Sequence, residues 1–145
     1  MTDKDSQAVI SVDYMMKTDL FSQWLGISVL EVKAGYSKIQ MTLRREMMNA
    51  FGIAHGGVTF AFADSAFAFA CNSDGKVTVA LDVSISFPKA GKEGDVLFAT
   101  ARRVNTTRRT GLYLVEVTNA DNEMVALFKG TCYKTEKDLI DPAKM

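Results

Sequence analysis

The segment Val58–Cys71 constrains this chain most, because it is apolar almost without interruption and carries a single carboxylate, Asp64. It is shorter than the roughly 20 residues a membrane span needs, and Asp64 breaks it. Phe60-Ala61-Phe62-Ala63 and Phe67-Ala68-Phe69-Ala70 alternate with a strand-like period of two. Length, alanine content and the lack of internal Gly or Pro decide instead for a helix over 57–72. On that helix Phe60 and Phe67 share one side, and Phe62 and Phe69 the opposite side. A helix apolar all round has to be buried all round. The rest of the chain must therefore supply sheet to wrap it, which makes the fold class α+β.

The flanking sequence provides that sheet. Residues 27–43 read as two strands turning at Ala34-Gly35, with Ser37, Ile39, Met41 and Leu43 alternating against Tyr36, Lys38, Gln40 and Thr42. After the turn-rich Asn72-Ser73-Asp74-Gly75, strands are predicted over 77–87, 95–104, 111–119 and 124–133. Asp121-Asn122-Glu123 turns the last pair. Short connections imply antiparallel pairing. Upstream, Val12, Met15, Met16, Leu20, Phe21, Trp24 and Leu25 predict one short amphipathic helix over 12–25, stopping at Gly26. Residues 1–11 read as a polar, mobile lead, and the charged tail from Thr135 as frayed.

The 145 residues are read as one domain. The 17 basic and 17 acidic residues balance, which argues against a nucleic-acid or anionic-membrane binder. No secretory signal is visible at MTDKDSQ. Cys71 and Cys132 form no metal or disulfide pattern and read as buried free thiols, so no metal site and a cytoplasmic location are expected. A lone charge in apolar surroundings costs several kcal/mol unless paired. Asp64 is thus the first candidate for chemistry, with a core ion pair to an arginine as the alternative.

Asn49, His55-Gly56-Gly57 and Asp64, in the run ADSAFAFACNS, resemble the hotdog-fold acyl-CoA thioesterases, most closely the phenylacetic-acid-degradation (PaaI-type) branch. There an Asn precedes HGG by six residues and an Asp follows inside the central helix. The segment Leu81–Asp95 is also similar, and the likeness covers about residues 20–134. It implies a long central helix wrapped by an antiparallel sheet of about five to six strands, with a short N-terminal helix. It implies an acyl-CoA substrate, aryl or medium-chain, and no cofactor, coenzyme A being part of the substrate. It makes the Gly56 N–H the oxyanion donor, places Asn49 at the thioester, and gives Asp64 the part of nucleophile or general base.

Chemistry supports these assignments. Thioester hydrolysis builds charge on the carbonyl oxygen, and preorganised N–H groups at a helix start stabilise it. Glycines at 56 and 57 let a substrate approach that backbone closely. His55 shapes the loop, with proton transfer as its alternative role. Ser65 points about 100° away from Asp64 and defaults to packing; with Gly57 it is kept as a substrate contact. Arg108 and Arg109, beside the predicted turn at Asn105-Thr106-Thr107, are candidate contacts to the coenzyme A phosphates. Ala80 stands where some relatives place a water-positioning Ser, so that role passes to another group. Finally, Gly57 and Asp64 lie on nearly one helix face, about 10 Å apart along the axis. One thioester cannot touch both, so a homodimer is expected, or a homotetramer built as a dimer of dimers. A non-catalytic acyl-CoA sensor and a hotdog hydratase or dehydratase are the competing functions.

Overall fold

The apolar segment forms helix α3 (Gly56–Cys71). This computed structural model describes residues 1–141 and 143. One face of a six-stranded antiparallel sheet carries the helix, in the order β1-β2-β4-β5-β6-β3. The strands are β1 (Ser28–Lys33), β2 (Tyr36–Thr42), β3 (Lys76–Ser86), β4 (Val96–Thr106), β5 (Thr110–Thr118) and β6 (Met124–Asp138). Strand β3 follows α3 directly yet pairs only with β6, so it forms the far edge.

Alternation in β2 places Ile39 and Met41 against the helix, and Leu97, Ala99 and Ala101 of β4 and Val115 and Val117 of β5 continue that floor. Phe67 fills its centre, tilted against Phe128 and edge-on to Tyr113 at centroid distances of 5.5 and 5.7 Å. Gly130 of β6 lies under that ring; a Cβ there would stand 2.8 Å from Phe67 Cζ. The Ser37 hydroxyl donates to the Ala66 carbonyl at 2.7 Å, fastening strand to helix.

Burial of α3 is not complete. Gly57 is exposed and Ala61, Asp64 and Ala68 are half-buried. Their spacing of four, three and four residues makes them one stripe, left open by the chain's own sheet and helices. Strand β3 is similarly bare. Its alternation is interrupted by register shifts at Lys76/Thr78 and Ala80/Asp82, and Val79 and Leu81 are 48% and 59% exposed.

The N-terminal expectation is corrected. Helix α1 spans Asp3–Thr18, where a mobile lead was expected, and α2 spans Leu20–Leu25. Thr2 caps α1 by accepting from the Asp5 N–H at 3.1 Å, and Asp5 in turn accepts from the Ala34 N–H at 3.0 Å. A polar first turn is thereby held to the β1–β2 turn. The single helix over 12–25 is two, because Asp19 leaves helical geometry (φ −81°, ψ 82°) to cap α2. The tail is also more ordered than expected. Strand β6 continues to Asp138, held by Thr135 Oγ1 donating to Val77 O and by the Lys76–Asp138 ion pair. Pro142, Lys144 and Met145 lie outside the described residues.

Candidate active site

The loop before α3 is built around Asn49. Its Oδ1 accepts from the Phe51 N–H at 2.9 Å and the Ile53 N–H at 3.3 Å. Gly52 completes the turn at φ +76°, a left-handed conformation that suits glycine. Two backbone donors fix which end of the carboxamide is oxygen. The Asn49 NH2 is left without a partner among the described residues and is available to donate.

His55 is the N-cap of α3. Its Nδ1 accepts from the Gly57 N–H at 2.9 Å, so the ring supports the loop and the Gly57 donor is taken. The preceding N–H, on Gly56, has no acceptor among the described residues. A helix start offers such orphan donors, with the positive end of the helix dipole behind them. Asn49, Gly56, Thr59, Phe87 and Lys89 line one cavity of about 230 Å³. Phe87 presses on it closely: a Cβ at Gly56 would meet Phe87 Cζ at 3.4 Å. Cavity, free N–H and free carboxamide together present two hydrogen-bond donors to one space, an arrangement chemically suited to a carbonyl oxygen.

Asp64 lies elsewhere, on the open stripe of α3. It makes no hydrogen bond or ion pair among the described residues, so the arginine-pair alternative does not describe it. Burial raises its pKa from the ordinary value, and the negative charge of Asp19 raises it further. Within one chain the structure thus joins Asn49 and Gly56 and keeps Asp64 apart from them. The Ser65 hydroxyl is turned inward, 2.8 Å from Ser22 Oγ. Ala80 is exposed on β3 opposite Cys132 and has no hydroxyl to offer.

Arg108 and Arg109 occupy the β4–β5 turn, which falls at 107–109, not at 105–107 as the sequence suggested, because β4 runs on to Thr106. They line an open groove of about 1070 Å³ with Lys76, Lys134, Lys137 and Asp74. This groove adjoins the Lys76 end of β3, whereas the Gly56 cavity adjoins Phe87 beyond its other end. Lys76, Lys134 and Lys137 escaped the sequence reading, as did Asp19 beside Asp64. Asp19 had a visible signal: an Asp three residues before Ser22, at the head of an apolar turn, is an N-cap pattern.

Residues 51–126 match the thioesterase superfamily. The chain belongs to that family. This thioesterase is 46% identical to a protein of Archaeoglobus fulgidus, over 94% of its own length and 90% of the other's. It is 38% identical to the Escherichia coli acyl-coenzyme A thioesterase PaaI, over 83% and 86% of the two chains. The solved E. coli PaaI structure superposes with a TM-score of 0.91, covering 92% of this chain and 97% of that one at 34% identity. A Streptococcus mutans protein bound to acetyl CoA follows at 0.75, covering 77% and 90% at 30% identity. The fold of the thioesterase is accordingly the hotdog: the central helix, the six-stranded antiparallel sheet and a helical N-terminus.

Proposed function

We propose that this thioesterase hydrolyses acyl-CoA to free acid and coenzyme A in a site completed by two copies of the chain. The observation that carries the reading is Asp64: a half-buried carboxylate with no partner among the described residues, on a helix stripe left open by the chain's own sheet and helices. Gly56 N–H and the Asn49 NH2 of one copy hold the carbonyl oxygen as charge develops on it. Asp64 of the other copy removes a proton from the attacking water, or attacks itself. The coenzyme A thiolate leaves and is protonated from solvent. His55 keeps the Gly56 loop in shape through its bond to Gly57.

The bare edge of β3 supports the pairing. Two copies meeting antiparallel along β3 set the Lys76 end of one beside the Phe87 end of the other. The basic groove of Arg108, Arg109, Lys134 and Lys137 then flanks the neighbour's Gly56 cavity, where it serves the phosphates of coenzyme A while the thioester lies in the cavity. We assign the assembly as a homodimer or a homotetramer of such dimers, working in the cytoplasm. The name and operon of the E. coli relative favour an aryl-acyl substrate, with medium-chain acyl groups as the second class.

Coenzyme A release from phenylacetyl-, benzoyl- and octanoyl-CoA tests the reading. Wild type should turn over at least one, and Asp64→Asn should lower kcat about 10²–10⁴-fold with an unchanged circular dichroism spectrum. Tight binding without turnover in the wild type would favour the sensor instead. Label found in the Asp64 carboxylate after one turnover in ¹⁸O-water identifies covalent attack, since general-base catalysis carries none into the protein.

A further inference from the structure

We propose that Asp19 is a positioning residue for Asp64, fixing the setting of that carboxylate through Ser22 and Ser65. The proposal rests on the reading of Asp64 as the reacting carboxylate. Asp19 stands between α1 and α2. Its Oδ1 accepts from the Ser22 N–H at 3.0 Å and its Oδ2 from the Ser22 hydroxyl at 2.6 Å. The Ser22 proton is therefore committed to Asp19. The contact of 2.8 Å between Ser22 Oγ and Ser65 Oγ then requires Ser65 to donate. Both serines are buried, at 1% and 8% exposure, where such a chain is strong and direction matters. It runs Ser65 to Ser22 to Asp19 and pins α2 onto the turn of α3 that bears Asp64. The Ser65 proton being spent, Ser65 does not donate to substrate.

The second consequence is electrostatic. Asp19, from α2, is the charged group that acts on Asp64 among the described residues, and it acts to hold the proton on. On α3 itself the buried Cys71 thiol, two turns further along, feels the charge of Asp64 in turn. Among the described residues no lysine, arginine or histidine pairs with Asp64. Two carboxylates thus sit near one another with unequal surroundings: Asp19 accepts two hydrogen bonds and Asp64 none. Burial and the neighbouring charge make the bare Asp64 carboxylate a stronger base than an ordinary one.

Asp19→Asn removes the charge while its Oδ1 still accepts from the Ser22 N–H and caps the helix, and its NH2, standing where Oδ2 accepted the Ser22 hydroxyl, reverses the hydrogen-bond chain so that Ser22 donates to Ser65. Asp19→Ser, a second good cap, guards against a folding defect peculiar to Asn. The pH profile of kcat/KM for acyl-CoA hydrolysis is the readout, with melting temperature alongside. Both variants should move the acid limb to lower pH and slow turnover above the limb. An acid limb unmoved in both variants, whatever the melting temperature does, overturns the proposal. If instead Asp64→Asn retains full wild-type turnover, the reading of the site itself is what has failed.

Discussion

At the scale of single residues, the role proposed for Asp64 sets function against stability. Burial and Asp19 raise its pKa, so the folded chain disfavours the charged form. A penalty to folding develops as pH rises from the ordinary carboxylate value of 3.8 through the raised folded value, and stays constant above it. Asp64→Asn should therefore melt higher than wild type at pH 7, by about 1–2 °C, and the gap should close near pH 3. Equal melting temperatures at pH 7 would contradict this. Gly56 poses the opposite case. Its dihedrals are ordinary for a helix start and a Cβ would meet only Phe87 at contact distance. Gly56→Ala should fold normally while its methyl group crowds the carbonyl site, cutting kcat/KM at least about tenfold. Thermal melts and steady-state kinetics on one preparation test both halves.

Among the elements, the join between α3 and β3 bears most on the site, since it orients the stripe of Asp64 relative to the edge strand. Asn72 makes that join. Its Nδ2 donates to Ala68 O and Thr78 O at 2.9 and 3.1 Å, and its Oδ1 accepts from the Thr78 N–H at 2.8 Å. At 4% exposure, water cannot replace these bonds. Asn72→Ala should cost roughly 2–4 kcal/mol, read as a lower urea midpoint at unchanged slope. The elements differ in how plainly sequence announced them. The unbroken run from Val58 marked α3, and alternation marked β2, because one face of that strand meets the core. Helix α1 was hidden, as its first turn is Asp3-Lys4-Asp5-Ser6 and its hold on the sheet comes from Asp5 reaching Ala34, a tertiary bond no local pattern shows. Thr2 and Asp19 were legible caps passed over in favour of hydrophobic spacing. Asn49 and Gly56 could be paired from their motif, and the helical rise alone separated them from Asp64. The approach of Asp19 to Asp64 could not be read, for it depends on how α2 folds back on α3.

The whole molecule is governed by the edge at β3. Charged residues on an edge strand discourage pairing, so Leu81→Lys should yield a monomer by sedimentation, with native circular dichroism and little hydrolysis. A variant that stays paired and active would refute the β3 contact. The other edge, β1, is short, whereas β3 offers eleven residues of backbone. Such a strand is adhesive towards any extended peptide, and in the proposed dimer a second copy covers it. Maturation of the enzyme should therefore end in a bimolecular step whose half-time shortens as chains accumulate, and nascent protein at low abundance should be the form most prone to clump with strangers.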